Sequence, residues 1–242
     1  LLVTGSPVIH SLRLPEKMDY IKLPCLTRVG RGEYTTKYLN ENLDDAIALR
    51  GELIRTTVQH FRPDIVLVDK KPMGVKRELG PTLDYLASSS PATRLLLVLR
   101  DILDRPEAII SNWKRNGHYD AITKYYEKVL ILGEKRIFDA VREYQFPSEV
   151  ASKSVYCGYI RKEPTGRPLH LNSRGDSRLV TVTAGGGQDG FGILQAYLDA
   201  LPDLESRLRI NTVMVTGPEM PRIQQDILRE RCEGRGDIEL VD

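Results

Sequence analysis

The segment Val180–Gly190 has the residue types that could bind an anion through backbone amides. An apolar run is followed by Ala-Gly-Gly-Gly-Gln-Asp-Gly and then by an apolar periodic stretch, which predicts a strand, a tight turn and a helix. Glycine lets the backbone approach a phosphate closely and adopt positive φ, and a helix N-terminus favours negative charge. The candidate contact residues are Gly185, Gly186, Gly187, Gln188, Asp189 and Gly190. A tight turn without any ligand is the alternative.

The spacing of Gly185, Gly187 and Gly190 also matches the GxGxxG pattern of dinucleotide-binding folds. Those folds place an acidic residue at the end of the next strand, about 20 residues further on. The next predicted strand ends instead in Thr216-Gly217-Pro218. The sequence therefore disfavours NAD, and we expect no bound cofactor.

A second candidate site follows the predicted buried strand Ile65–Val68. The residues after it include Asp69, Lys70, Lys71 and Gly74. In open α/β sheets the ligand crevice lies outside the carboxyl ends of the strands. We therefore predict that this loop faces a substrate, and a solvated charged loop is the alternative.

A third strand end has the same form. The predicted strand Leu95–Leu99 is followed directly by Arg100 and Asp101. A carboxylate at this edge is a candidate for proton transfer or substrate positioning. A structural ion pair between Arg100 and Asp101 is the alternative.

Several common catalytic patterns do not occur in the sequence, which contains no GxxxxGK[ST] phosphate loop, no GxSxG elbow and no DxD pair. The four histidines (His10, His60, His118 and His170) are isolated from one another and from the three cysteines. We therefore expect no metal site, and we predict no histidine as a catalytic base.

The stretch Ile109–Arg115 combines aromatic, apolar and basic residues. It fits an amphipathic element at a membrane surface, near Trp113. It also fits a helix whose Ile109 and Trp113 pack inward while the cations are solvated, and we favour this second interpretation.

Short apolar runs alternate with helical patterns along most of the chain, which predicts parallel sheets covered by helices. The clearest helix is Leu43–Phe61, whose apolar residues recur at spacings of three and four. Further helices are predicted at Gly192–Leu201 and Arg222–Cys232. The predicted strands are Leu1–Thr4, Tyr20–Leu23, Ile65–Val68, Leu95–Leu99, Val129–Leu132, Val155–Cys157, Val180–Thr183, Val213–Thr216 and Ile238–Val241.

One stretch interrupts this alternation. Gly158–Ser177 is rich in Pro, Gly, Ser and charge and has little periodicity, so we predict an interdomain linker over residues 158–177. Residues 1–157 would form an N-terminal Rossmann-like domain. Residues 178–242 would begin a C-terminal one.

The composition is that of an ordinary soluble globular protein, with 41% hydrophobic and 28% charged residues. A net charge of +2 argues against wholesale wrapping of nucleic acid, so no nucleic-acid partner is expected. The three cysteines are widely spaced and odd in number, which indicates reduced, mostly buried thiols in a cytoplasmic protein. Both ends of the chain fall in apolar runs, and we expect an interior piece of a longer protein.

The order of these features resembles the GT-B glycosyltransferases, in particular the family 28 group, which includes the N-acetylglucosaminyl transferase of peptidoglycan synthesis. The resemblance rests on the loop after Asp69, the strand end at Arg100-Asp101, the segment Cys157–Arg161, the glycine turn, and the strand end at Thr216-Gly217. The chain looks most like an uncharacterised bacterial branch of predicted glycosyltransferases.

The resemblance implies two Rossmann-like domains, with the nucleotide-sugar donor bound by the C-terminal one. Thr216 and Gly217 then join the glycine turn as donor-binding residues, and Asp69, Lys70, Lys71, Gly74 and Arg100 lie on the acceptor side. Asp101 matches an acidic residue that is important in the peptidoglycan enzyme, so it is the catalytic candidate. The family's first glycine-rich loop with its histidine base would precede Leu1, and its ribose-binding acidic residue would follow Asp242.

The implied reaction is metal-free transfer of a hexose from a nucleotide-sugar, commonly a UDP-sugar, to the hydroxyl of a lipid-linked or small-metabolite acceptor. A nucleotide-sugar 2-epimerase of the same fold is the alternative enzyme, and a non-catalytic nucleotide-sugar-binding module is the alternative class. The expected location is the cytoplasm, or the inner face of the membrane as a peripheral protein.

Overall fold

A computed structural model describes residues 1–12, 14–30, 32–90, 92–161 and 177–241 of the chain. The chain divides into two compact units. Unit 1 comprises Leu1–Ser6 and Glu16–Pro164, and unit 2 comprises Pro7–Pro15 and Thr165–Asp242. Most of the predicted linker, residues 162–176, lies outside the described residues, as does His170.

Unit 1 is built on a four-stranded parallel sheet. Its strands lie side by side in chain order, as β5 (Ile65–Asp69), β6 (Arg94–Arg100), β7 (Lys128–Leu132) and β8 (Ser154–Tyr156). Two smaller pairs precede this sheet: β1 (Leu2–Thr4) runs parallel to β2 (Tyr20–Lys22), and β3 (Leu26–Gly30) forms an antiparallel hairpin with β4 (Glu33–Thr36). Because the four strands of this sheet are parallel, the loops after β5, β6 and β7 meet at the same edge of the sheet.

Helices connect the parallel strands of unit 1. They are α1 (Leu43–Phe61), α2 (Gly80–Ser89), α3 (Pro106–Arg115), α4 (His118–Tyr125), α5 (Ala140–Glu143) and α6 (Ser148–Lys153). The bounds of α1 are those predicted. Its N-terminus is capped by the Asn42 side chain, which accepts a hydrogen bond from the Asp44 amide at 2.8 Å. The helix ends at Phe61. The next residue, Arg62, has a left-handed φ of 49° and is followed by Pro63.

The core of unit 1 lies between the sheet and its helices. Leu97, Val129 and Ile131 on the strands pack with Leu83 and Ile122 on the helices, and all five side chains are fully or almost fully buried. An aromatic group, Trp113, Tyr119, Tyr144 and Phe146, extends this core, with the Trp113 and Phe146 rings stacked at 5.5 Å. This packing fixes the strand ends from which the candidate loops start.

Unit 2 is a smaller Rossmann-like layer. Strands β9 (Arg178–Thr183), β10 (Ile210–Val215) and β11 (Ile238–Val241) are parallel, in the order β11-β10-β9, and are connected by α7 (Phe191–Glu205) and α8 (Arg222–Cys232). Leu194, Leu198 and Leu201 on α7 share one face and pack with Met214 and Leu228. Apolar positions three and four residues apart thus give α7 a single buried side.

The predicted fold class, two Rossmann-like α/β units, is confirmed, and a strand forms at every predicted strand position. The sequence interpretation missed the β3–β4 hairpin, although Leu26–Thr36 carries the alternation and the Gly32 turn (φ 81°) that are typical of hairpins. Among the described residues, no helix has the length and apolarity needed to cross a bilayer.

Candidate functional sites

The glycine turn of unit 2 connects β9 to α7, as the sequence predicted. Gly185 and Gly187 have positive φ, at 61° and 92°, in the region that favours glycine. Gly190 lies just before the first residue of α7, and a Cβ there would overlap the Ala184 side chain. The three glycines of the GxGxxG spacing therefore serve the turn and the close contact between the helix and the strand.

The loop after β10 packs against this turn. Gly217 follows β10 with a φ of 88°, and a Cβ there would lie 2.5 Å from the Gly185 carbonyl oxygen. A Cβ on Gly187 would in turn lie 2.9 Å from the Gly217 carbonyl oxygen. The Glu219 amide donates to the Gly186 carbonyl at 2.8 Å and joins the two loops. Only glycine fits at both contact points, because the backbones themselves touch.

The predicted donor-binding residues fall into two groups by exposure. Gly187, Gly190, Thr216 and Gly217 are buried, so they shape the turn. Gly185, Gly186, Gln188 and Asp189 are exposed, so a ligand can contact them.

Gly186 faces open space at the tip of the turn. Its φ is not positive, and the nearest atom to a Cβ built on it is Glu219 Oε1 at 4.0 Å. Positive φ therefore belongs to Gly185, Gly187 and Gly217, and crowding to Gly187 and Gly217, whereas Gly186 leaves room for a ligand. The amides of the first turn of α7, which have no acceptors within the helix, lie next in the chain. The Glu219 carboxylate borders the same region, and Asp189 is an exposed residue of the same turn. Carboxylates of this kind would accept hydrogen bonds from hydroxyl groups.

In unit 1 the loop after β5 forms a tight turn. Lys70 has a φ of 62°, the Lys71 amide donates to the Asp69 carbonyl at 2.6 Å, and the Gly74 amide donates to the Lys71 carbonyl at 2.9 Å. Asp69 is the last residue of β5 and is exposed. The loop thus turns back on itself directly at the strand end.

A buried ion pair fixes the far end of this loop. Arg50 on α1 donates to both carboxylate oxygens of Glu78, at 2.5 and 3.0 Å, and the Val75 amide donates to the same carboxylate at 3.1 Å. Arg50 also donates to the Pro24 carbonyl at 2.5 Å. Arg50 interrupts the apolar face predicted for α1. A charge is tolerated at this buried position because it is fully paired.

The loop after β5 lines an open cavity of about 730 Å³ within unit 1. The β3–β4 hairpin and the segment from Leu103 to Asn116 supply its other walls. Of the residues predicted on the acceptor side, Lys70, Lys71 and Gly74 line the cavity, whereas Asp69 and Arg100 do not, and neither does Asp101. Lys71 Nζ donates to the Tyr34 hydroxyl at 2.5 Å, which joins the loop to the hairpin.

Asp101 lies at the C-terminal edge of the same sheet, beside β7. Its carboxylate accepts hydrogen bonds from the Tyr159 hydroxyl at 2.6 Å and from the Ile102 amide at 2.8 Å. A Cβ on Gly133 would come within 2.9 Å of Asp101 Cγ, so glycine is required there. The hydrogen bond to Asp101 raises the pKa of Tyr159. Within the described chain the partner of Asp101 is Tyr159, and the alternative of an ion pair with Arg100 is not formed.

His118 is a site residue that the sequence interpretation missed. It is the first residue of α4, lines the cavity, and is only 7% exposed. Its Nδ1 atom is buried with no hydrogen-bond partner among the residues that the structure describes. Burial, followed by the positive charges of Lys71 and Arg77, lowers its pKa to about 4. His118 is therefore neutral at physiological pH. No spacing in the sequence indicates this environment.

The stretch around Trp113 packs inward. Trp113 is 4% exposed and Ile109 is 8% exposed. The favoured interpretation is thus the one observed, and neither side chain is presented to a membrane. Cys25 is buried and Cys157 is exposed, so the expectation of mostly buried thiols does not hold for Cys157. No cluster of three or more His, Cys, Asp or Glu residues suited to a metal ion occurs in the described ranges.

The chain matches no family model, and no curated protein is similar to it in sequence. Its fold is similar to that of several solved structures. One is Staphylococcus aureus MnaA in a co-structure with UDP, with a TM-score of 0.53, 13% identity, and coverage of 86% of this chain and 53% of that one. A second is a putative UDP-N-acetylglucosamine 2-epimerase from Listeria monocytogenes, with a TM-score of 0.52, 15% identity, and coverage of 84% and 52%.

A glycosyltransferase from Rickettsia africae is less similar, with a TM-score of 0.45 and 12% identity. The match covers 92% of this chain and 55% of that one. The chain therefore spans about half the length of the solved structures that it matches. At these identities the similarity shows the fold, which is that of the GT-B proteins.

Proposed function

We propose that the protein is a nucleotide-sugar-dependent glycosyltransferase of the GT-B type, with residues 178–242 on the donor side and residues 1–157 on the acceptor side. The observation that carries this proposal is the exposed tip of the glycine turn at Gly185 and Gly186, held by the Gly217 loop and followed directly by α7. Backbone amides there suit a diphosphate. The neighbouring carboxylates of Asp189 and Glu219 suit the hydroxyl groups of a sugar or ribose.

The proposed reaction is a displacement at the anomeric carbon of the donor. The acceptor oxygen forms a bond to that carbon while the bond from the carbon to the diphosphate oxygen breaks. The nucleoside diphosphate leaves with the electron pair, and the hydroxyl proton passes to a base. Amides near Gly186 would stabilise the charge on the leaving diphosphate. Asp101 is the proposed acidic group on the acceptor side, because it lies at the sheet edge where substrates of such folds bind.

Within the GT-B enzymes we propose the family 28 group, on the order of the loops rather than on identity. A 2-epimerase is the second candidate, and the Listeria structure with its printed 2-epimerase description favours it. An epimerase acts on the donor alone, whereas a transferase needs a place for a second substrate. The cavity of about 730 Å³ in unit 1, separate from the glycine turn, favours the transferase.

The test uses the complete protein and two assays. Isothermal titration with UDP and UDP-sugars measures donor binding, and absence of binding would overturn the proposal. The protein is then incubated with a UDP-sugar alone and with a pool of phosphorylated and unphosphorylated sugar acceptors. Transfer to an acceptor supports the transferase. Inversion of a sugar centre in the donor without any acceptor identifies the epimerase instead.

A further inference from the structure

The cavity in unit 1 has a large excess of positive charge. Seven cationic side chains line it: Arg28, Lys70, Lys71, Lys76, Arg77, Arg105 and Arg115. The carboxylates in its wall are Asp104 and Glu107. Cations thus outnumber carboxylates by five in one concave space, in a chain whose net charge is +2.

These cations have no carboxylate partner among the residues that the structure describes. Within the described part of the chain, none of the seven forms an ion pair, whereas Arg94 pairs with Glu127 at 2.8 Å and Arg50 pairs with Glu78 elsewhere in unit 1. Lys71 and Arg28 donate to neutral oxygens, the Tyr34 hydroxyl and the Gly30 carbonyl. Like charges held together in a cleft repel one another and attract a counter-ion of opposite sign.

The backbone holds several of these cations in place at a conformational cost. Lys70, Lys76 and Arg77 have φ values of 62°, 49° and 65°. The left-handed region is unfavourable for residues that carry a side chain, and such strain is characteristic of functional loops. The loop is fixed at its end by the Arg50–Glu78 pair and the Val75 amide, so the backbone that carries these cations is held in place before any ligand arrives.

His118 supplies an independent polar group in the wall of the cavity. Its side chain is more than nine-tenths buried, and Nδ1 has no partner among the described residues. Buried nitrogen atoms of this kind are normally satisfied by protein, water or ligand. His118, a residue of the cavity wall, thus carries one ring nitrogen that no described protein group satisfies.

We propose that this cavity binds a small phosphorylated molecule with at least two negative charges, and that this molecule is the acceptor of the proposed transfer reaction. The identification as acceptor rests on the proposed function, whereas binding of the anion does not. The volume of about 730 Å³ lies within the range of about 300–1,000 Å³ that is typical of small-ligand pockets. A concave cavity of this size suits a compact phosphate compound better than a nucleic-acid strand, which requires an extended groove.

The test is isothermal titration of the complete protein with inorganic pyrophosphate in the presence of saturating UDP, which occupies the glycine turn. We expect binding that weakens about tenfold, or about 1.4 kcal/mol, in each of Lys76→Ala and Arg105→Ala. Lys114→Ala is the matched control, because Lys114 lies on α3, is exposed and does not line the cavity. Circular dichroism checks that each variant is folded.

The source of the phosphate groups is distinguished by a second arm with vesicles of phosphatidylcholine and phosphatidylglycerol. Sedimentation with these vesicles that is lost in the two cavity variants identifies a lipid headgroup, and pyrophosphate binding without sedimentation identifies a soluble compound. Absence of both, or equal losses in Lys114→Ala, overturns the proposal. Tighter binding of single-stranded RNA than of pyrophosphate also overturns it. UDP affinity is measured in every variant, so failure of the donor site is seen separately from failure of the cavity.

Discussion

The hydroxyl of Tyr159 donates a hydrogen bond of 2.6 Å to Oδ2 of Asp101. Tyr159 lies just after Gly158, where the chain leaves β8, and Asp101 lies just after β6. The bond thus ties the end of the described part of unit 1 to the edge of its sheet. Gly133 lies beneath Asp101 and leaves no room for a larger residue. The only catalytic candidate that the sequence offered is therefore held by contacts from β7 and from the chain beyond β8.

Asp101→Asn tests whether this carboxylate takes part in the reaction. In the complete protein we expect kcat/KM to fall about 10²-fold, as for loss of a group in proton transfer. The melting temperature should change little, because the amide can still accept a hydrogen bond from Tyr159. Tyr159→Phe is the control, which removes one hydrogen bond worth about 1 kcal/mol and keeps the carboxylate. Unchanged turnover in Asp101→Asn together with a clearly lower melting temperature would assign Asp101 a structural role.

Gly186→Val tests the exposed tip of the glycine turn. The fold should survive, because no atom lies closer than 4.0 Å to a Cβ at this position. UDP binding should weaken about tenfold to a hundredfold, since a side chain there would displace a diphosphate from charge-assisted hydrogen bonds worth about 1.5–3 kcal/mol each. Titration of UDP against both proteins measures this change. Binding by the unaltered protein should persist in excess EDTA, because the proposed partners are backbone amides. Equal UDP affinity in the two proteins would remove the turn from the donor site.

Gly187→Ala tests the packing of the neighbouring residue, which is buried and crowded, whereas Gly186 is exposed. Its φ of 92° and its contact with the Gly217 carbonyl leave no space for a methyl group. We expect a loss of stability of about 1–3 kcal/mol from strain at this backbone conformation. Chemical denaturation gives the free energy of unfolding, and Gly192→Ala in the first turn of α7 is a matched control with nothing within 4 Å of its Cβ. A stability equal to that of the control would show that the two loops are not packed as described.

The Arg50–Glu78 pair is expected to be essential for the loop that carries the cavity cations. Glu78→Gln leaves Arg50 buried without a counter-charge, so we expect a loss of about 3–5 kcal/mol in the free energy of unfolding. The double variant Arg50→Met/Glu78→Gln should regain part of this loss, because the unpaired charge is removed. Denaturant titration of wild type, Arg50→Met, Glu78→Gln and the double variant gives the coupling energy. A double variant that loses the sum of the two single effects would argue against a direct pair.

His118 predicts a pH dependence of stability. Its pKa is about 4 in the folded chain against 6.5 for the free side chain. Between these values the unfolded chain binds a proton that the folded chain does not, so stability falls as pH falls from 6.5 towards 4. The full difference is about 3 kcal/mol. Denaturation of wild type and His118→Gln at neutral pH and near pH 5 should show a smaller loss in the variant. A His118→Gln protein whose pH dependence of stability equals that of wild type would contradict the assignment.

The sequence by itself determined the elements that carry the candidate sites. Short Val-, Leu- and Ile-rich runs and an amphipathic periodicity are local properties, so β5, β6, β9, β10 and the bounds of α1 could be predicted from them. The glycine turn could also be predicted from local sequence. Glycine at positions 185, 187 and 190 permits positive φ and close packing of the backbone. The β3–β4 hairpin is also indicated by local sequence, through the alternation and the Gly32 turn in Leu26–Thr36, although the sequence interpretation did not include it.

Only the tertiary structure decided which side chains share a site. Lys71, Arg105 and His118 lie in the connections after β5 and β6, which the parallel strands bring to one edge of the sheet, and Arg28 reaches the same cavity from the β3–β4 hairpin. No spacing in the sequence records that Arg50 is neutralised by Glu78, that Tyr159 reaches Asp101, or that His118 is buried beside Lys71 and Arg77. Such contacts depend on distances between segments that are far apart in the chain, and these distances are fixed only when the core packs.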